Sequence, residues 1–204
     1  MQPDQQSEGR MAAATVAFAD VVGFTALTAE DELGTHKTWS DFQAACLRPA
    51  IAEAGGRLVK MLGDGALAVF DEAPAAAKWA MRIQDDLKRD RAADRLRWPR
   101  LRLRIGLHQG EVFFDNGDIH GSTVIIARRL QETAAPDSIV LTAATANDLP
   151  DALSSRMRDL GYLTLKGDPT PIRAYGINPD GEPVAATRTA TQLPTLAVMP
   201  FETL

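Results

Sequence analysis

A single cysteine, Cys46, stands in a chain of 204 residues. An intrachain disulfide framework is thereby excluded, and the chain fits a reducing compartment. Cys46 falls within an amphipathic helical pattern, where the role of a small buried hydrophobe is expected. Long apolar runs are also missing: none approaches the ~18–20 residues that span a bilayer. No signal-peptide pattern opens the chain, so a cytoplasmic location with no membrane span is expected. Nor is there a basic stripe. The net charge is −5, and Asp residues interrupt the Arg and Lys cluster of residues 88–104. This argues against a nucleic-acid partner, and the cluster reads as a solvated helix end. No internal repeat is visible. Apolar content, by contrast, is ample at 45%, enough for one domain with a full core and some tail.

Residues 1–13 are polar, Gln-rich at first, and expected to be disordered. A strand is expected at residues 15–19, and a helix opens after Gly23. Thr35 is placed to cap the next helix, where Trp39, Phe42, Ala45, Cys46, Pro49 and Ile51 recur at helical spacing to about Glu53, with Pro49 a candidate kink. Two short apolar segments, residues 57–62 and 66–70, flank the turn Gly63-Asp64-Gly65, as in a β-hairpin. A third helix starts near Pro74, with Ala77, Ala80, Met81, Ile83, Gln84 and Leu87 on its inner face. Residues 89–99 read as a loop and 101–108 as an alternating strand, which residues 111–114 either continue or pair back on. Residues 115–118 are turn-like. Residues 121–133 form a helix whose apolar face is assigned to Val124, Ile125, Ala127, Arg128 and Leu130. A strand at 139–142, a short helix at 143–149 and strands at 160–165 and 172–177 follow. Hairpins mixed with crossovers favour an α+β sandwich with a mainly antiparallel central sheet and packed helices. Residues 178–194, rich in Pro, Thr and Ala, read as a linker, and 195–204 as the start of a further domain or a tail.

Two segments carry chemistry. Asp20 ends an apolar strand, just before a Gly-Phe-Thr turn that opens a helix, and Asp64 sits at the hairpin tip. Asp-Gly at a tip is turn chemistry in its own right. Two strand ends that each present an Asp at one sheet edge would also suit a hard divalent cation, which binds one or two carboxylates plus substrate phosphates. The helix start would add N–H groups for phosphate. A metal–nucleoside triphosphate site is one reading and a plain hairpin is the other.

Four separated segments, residues 18–25, 60–65, 104–110 and 117–121 with Arg129 beyond, resemble the class III adenylate/guanylate cyclase catalytic domain over residues 14–177. The resemblance implies the class III nucleotidyl cyclase fold with its ferredoxin-like core, and the lyase reaction of cAMP biosynthesis in signal transduction. It implies that Asp20, Asp64 and the Val21 carbonyl bind two Mg²⁺ or Mn²⁺ ions. Val22, Gly23, Phe24 and Thr25 would cradle the phosphates. Arg104 resembles an arginine that meets the phosphates; a solvent-facing strand residue is its alternative. Lys60 and Asp118 match the pair that reads adenine, so ATP is favoured, and Arg129 resembles the arginine that stabilises the transferring phosphoryl group. The family's site forms in a head-to-tail homodimer, with the metal aspartates from one subunit and Lys60, Asp118 and Arg129 from the other.

One position departs from the pattern: Ile125 stands where the family usually has Asn, four residues before Arg129 and on its face. Ile cannot hydrogen-bond, so weak activity is expected, or compensation by Ser122, Thr123 or His120. A degenerate domain that binds nucleotide and regulates an attached one is an alternative, as is a cyclase using GTP or a pyrimidine triphosphate. No catalytic base is evident: His108 and His120 are the candidates, each readily explained as structural or exposed, and His36 has no assigned role.

Overall fold

The computed structural model describes residues 9–93, 97–98, 100–167 and 169–177. The expected linker and tail, residues 178–204, lie outside the described residues, as do residues 1–8 of the expected disordered N-terminus.

The central strand is β1 (Arg10–Val21), with β3 (Gly65–Phe70) and β4 (Leu103–Asp115) antiparallel on either side. Outside β3 lies β2 (Arg57–Leu62), completing the expected hairpin. Beyond β4 come β6 (Ile139–Thr142), parallel to it, then β8 (Ile172–Ile177) and β7 (Arg158–Leu163). The order is β2-β3-β1-β4-β6-β8-β7, and β5 (Asp118–His120) folds back on β4. The first four strands with their crossovers make a β-α-β-β-α-β unit in the order 2-3-1-4, which is the ferredoxin-like core. β1 opens at Arg10, inside the stretch expected to be disordered. The reason lies in β4, which runs unbroken for 13 residues and gives residues 10–13 a ladder partner. Residues 111–114 thus continue the strand.

Side chains along β1 alternate between two cores. Ala17, Ala19 and Val21 join Leu103, Ile105 and Leu107 beneath the helices of the first face. These are α1 (Phe24–Glu30), α2 (Glu32–Phe42), α3 (Arg48–Glu53) and α4 (Ala73–Ala92). Asp31 rather than Thr35 caps α2, accepting from the Gly34 N–H at 2.9 Å. Between α2 and α3 lies one wide π turn, Gln43–Leu47, in which the Arg48 N–H reaches the Gln43 carbonyl. Pro49 has no N–H to continue an α ladder, and the wide turn just before it absorbs the mismatch instead of a kink. The whole expected inner face of α4 is buried. That helix continues to Ala92, into the expected loop, and the Asp90 carboxylate then accepts the backbone N–H groups of Arg97 (2.9 Å) and Trp98 (2.7 Å). The basic cluster is more than a solvated end: Arg91 and Arg102 flank the buried Asp137 at 3.1 and 2.7 Å, and Arg100 pairs with Glu30.

The opposite face, with Ala14, Val16 and Phe18, is covered by α5 (Ser122–Thr133). A Cβ on Gly106 would lie 2.3 Å from the Ala127 carbonyl, so glycine there lets α5 lie directly on β4. The seat of α5 consists of Thr123, Ala127, Leu130 and Gln131. This corrects the expected apolar face: Ile125 is 61% exposed and Arg128 also points outward. Two short helices follow, α6 (Ala143–Asn147) and the unexpected α7 (Asp151–Ser154). The last hairpin begins at Arg158, two residues earlier than expected, and β7 shifts register between Asp159 and Gly161.

Candidate active site

Asp20 is the last β1 residue but one. Its strand neighbours are Gly65 on β3 and Arg104 on β4. Arg104 donates from Nη2 to Asp20 Oδ2 at 2.6 Å, and Gln131 reaches down from α5 to donate from Nε2 to the same oxygen at 3.1 Å. One carboxylate oxygen is therefore held twice, while Oδ1 turns toward β3. A Cβ on Gly65 would sit 2.9 Å from the Ala19 carbonyl and 3.7 Å from Asp20 Oδ1, so only glycine lets the Asp64 turn come this close to Asp20. The turn is pinned from both sides. Val21 donates its N–H to the Asp64 carbonyl at 3.0 Å, and Trp39 Nε1 donates to the Gly63 carbonyl at 2.9 Å. Burial raises the Asp20 pKa above the ordinary carboxylate value; the Arg104 hydrogen bond opposes this, and the negative charge of Asp64 pushes it further up. Two carboxylates that repel each other at a strand end, one with an oxygen uncommitted, fit a divalent cation. No group of three or more His, Cys, Asp or Glu converges among the described residues. Coordination would then be completed by backbone carbonyl, phosphate and water, as hard cations with few protein ligands require.

Val22 donates its N–H to the Arg102 carbonyl at 2.9 Å. Of the expected phosphate turn, this amide is already used. Gly23 then takes a left-handed φ of 67° and α1 opens at Phe24, with Thr25 exposed.

Lys60 and Asp118 come together although 58 residues separate them: Lys60 Nζ lies 2.5 Å from Asp118 Oδ2. Asp118 Oδ1 accepts its neighbour's N–H, that of Ile119, at 2.8 Å. The Lys60 hydrogen bond holds the Asp118 carboxyl below its ordinary pKa. Both side chains remain accessible, at 42% and 33%. On α5, Arg129 bonds Glu132 at 2.7 Å, its Nε buried and without a hydrogen-bond partner, and the exposed Ile125 lies one turn before it. Ile125 and Arg129 thus share an outward face.

The histidines divide. His108 faces Val16, four β1 residues before Asp20 and so about 13 Å along the strand. It is half-buried, its Nδ1 lies 2.8 Å from Thr142 Oγ1, and burial depresses its pKa to about 4. It has the marks of a neutral core residue. His120 is exposed beside the Phe113 ring, and His36 packs edge-on against Phe24 at 5.4 Å. Two contributors escaped the sequence reading. Gln131 left one signal, as a polar residue in the buried stripe Ala127, Leu130, Gln131, Ala134. The sequence marks Trp39 only as an apolar helix residue, and nothing local signals its bond to the turn.

Comparison with known proteins bears on the family and the fold. The family model described as the adenylate and guanylate cyclase catalytic domain matches residues 7–179. An adenylate cyclase of Streptomyces coelicolor is 32% identical over 173 residues, covering 80% of this chain and 43% of that protein. One from Streptomyces griseus is 36% identical over 137 residues, covering 66% and 32%. The chain therefore spans less than half the length of these relatives. Among solved structures, an adenylate/guanylate cyclase/hydrolase from Silicibacter pomeroyi superposes with a TM-score of 0.77 at 32% identity, over 85% of this chain and all of that one. The adenylyl cyclase CyaB from P. aeruginosa gives 0.71 at 22% identity, over 84% and 96%, and supports the fold alone.

Proposed function

The chain belongs to the adenylate and guanylate cyclase catalytic-domain family, and from that premise we propose that it converts ATP to 3′,5′-cyclic AMP and pyrophosphate. The observation that carries the reading is the Asp20 end of β1, where Oδ2 is held by Arg104 and Gln131 while Oδ1 turns toward the Asp64 turn. Two Mg²⁺ or Mn²⁺ ions at Asp20, Asp64 and the Val21 carbonyl would supply activation of the ribose 3′-hydroxyl and a counter-charge for the triphosphate. The residues do the rest. Arg104 keeps the Asp20 carboxylate in one rotamer and adds positive charge beside the phosphates. The amides from Gly23 onward, at the opening of α1, receive the phosphate oxygens. The 3′-hydroxyl gives up its proton to solvent, its oxygen attacks the α-phosphorus, the bond from that phosphorus to the α–β bridging oxygen breaks, and pyrophosphate leaves. Arg129 exchanges Glu132 for the charge that builds on the transferring group.

Lys60 and Asp118 offer a cationic donor and an anionic acceptor side by side, the complement of the adenine edge, and a mismatched base would leave one of them unpaired. Lys60, Asp118, Ile125 and Arg129 are accessible on one chain, which supports a second copy closing the site head to tail. No described helix is long and apolar enough to cross a membrane. The exposed Ile125 favours a second reading, in which the domain binds nucleotide without turning it over and regulates an attached domain. Replacing ATP by GTP, CTP and UTP with Mn²⁺ present tests both. Cyclic AMP from ATP alone, lost in Asp20→Ala, supports the first. Dimerisation and ATP binding with no product from any nucleotide supports the second.

A further inference from the structure

The β4–β5 hairpin that carries Asp118 is anchored at its base by the buried Phe114 and Ile119, but its tip beyond them has little of its own to hold it. Three residue pairs join its strands, across a turn whose two residues, Asn116 and Gly117, are both left-handed (φ 47° and 79°). A ribbon this short is at best marginal in water, so the place of its tip is set by what it touches. It touches β2 through two side chains. One is Lys60, through its ion pair with Asp118. The other is Arg57. Arg57 Nη1 donates to the Gly117 carbonyl at 2.8 Å, and its guanidinium lies 6.0 Å from the centre of the Phe114 ring on the same hairpin.

Residues three apart on a regular strand point to opposite faces. β2 is irregular here: Leu58 pairs with Ala68 and Lys60 with Leu67, which leaves Val59 as an extra residue. This bulge restores Arg57 and Lys60 to one face, opposite Val69 and Leu67, whose side chains both enter the α5-side core. The two contacts then differ in one respect. A base that bonds Lys60 Nζ and the Asp118 carboxylate competes with their bond to each other. The Arg57 clamp uses neither group and stays closed while the pair engages.

We propose that Arg57 is the positioning residue that fixes the hairpin tip, and with it the spacing of Lys60 and Asp118, so that it governs purine selectivity without touching the base. The proposal rests on Lys60 and Asp118 being the base-reading pair. The test compares kcat/KM for ATP and for GTP in the full chain with Mn²⁺, in the wild type, Arg57→Met, Arg57→Lys and Lys60→Ala. Arg57→Met keeps an apolar stem against Phe114 and loses the donors. It is expected to lower the ATP:GTP ratio about tenfold, mostly through KM for ATP, as a lost neighbour contact does. Arg57→Lys, which keeps a donor, should restore most of the ratio. Amide hydrogen exchange across residues 116–120 should quicken in Arg57→Met and return toward normal in Arg57→Lys. A ratio unmoved in Arg57→Met but collapsed in Lys60→Ala overturns the proposal and spares the base-reading pair. A ratio unmoved in Lys60→Ala overturns both. Should Arg57→Met not fold, Arg57→Gln, too short to reach Gly117, carries the same test with the same outcomes.

Discussion

The two ends of the candidate site are built in different ways. At the Asp20 end every contact is internal to one chain: β1, β3, β4 and α5 each supply a group, and the Asp20 carboxylate is part-buried with Oδ2 committed. At the Lys60–Asp118 end and along the outer face of α5, the groups are accessible, and they satisfy one another between β2 and β5 or within a single helical turn. A buried carboxylate is costly unless paired, so the first end has to be complete before anything binds. An exposed ion pair contributes little stability and gives way readily. The first end is therefore preorganised, and the second is open to completion by substrate and, on the proposed reading, by another copy of the chain.

This contrast can be broken most severely at the first end. Asp20→Ala removes a carboxylate from a preorganised cluster and is expected to lower turnover by roughly 10³-fold. Measured kcat in the same Mn²⁺ buffer decides it, and a loss under tenfold would take Asp20 out of the site. Next comes base recognition. Replacing Lys60 and Asp118 together by Ala should shrink the preference for ATP over GTP by about 10²-fold, while product formation from both persists. Unchanged selectivity would mean that the exposed pair is only a surface ion pair.

A smaller effect sharpens the comparison at α5. Ile125→Asn returns a hydrogen-bonding group beside Arg129 and should raise kcat by about tenfold. Because Ile125 is 61% exposed, the exchange should leave the fold intact. Turnover that does not move would mean that the missing polar group is already supplied elsewhere.

The smallest effect on function belongs to His108, which lies at neither end. Its folded pKa is depressed to about 4 from an ordinary 6.5, by burial. Between those values the unfolded chain takes up a proton that the folded chain refuses, so stability is full above 6.5 and falls as the pH drops toward 4. From about pH 7 to pH 5 the loss is roughly 2 kcal/mol. Urea titrations at the two pH values should show it, and His108→Gln should flatten the difference. A wild-type profile as flat as that of the variant would show that the ring is not buried neutral.

Much of this contrast could be read from the sequence, though unevenly. Asp20 and Asp64 stand out because an apolar strand ending in a carboxylate and an Asp-Gly tip are local patterns. Hairpins mixed with crossovers point to an α+β sandwich, and the ferredoxin-like core within it was legible through the family resemblance. Lys60 and Asp118 were legible only through the family resemblance, since no local rule joins residues 58 positions apart. What stayed hidden depends on register and tertiary approach. β1 begins at Arg10 because β4 is long enough to pair with it, and that length is not written in residues 10–13. The bulge that brings Arg57 beside Lys60 shows only in the ladder. The face of α5 was misjudged because Ile125 is apolar, and hydrophobicity alone placed it in the core. Gln131, which is buried, was overlooked for the opposite reason.

Mixing two inactive variants tests the division of the site most directly. Asp20→Ala spoils only the first end, and Lys60→Ala, combined with Asp118→Ala and Arg129→Ala, spoils only the second. If the two ends meet across a head-to-tail pair of chains, an equal mixture should recover cyclic AMP formation to about a quarter of the wild-type rate, from the mixed dimers that hold one intact site. A mixture as inactive as its two components, with mixed dimers shown to be present, would contradict the account.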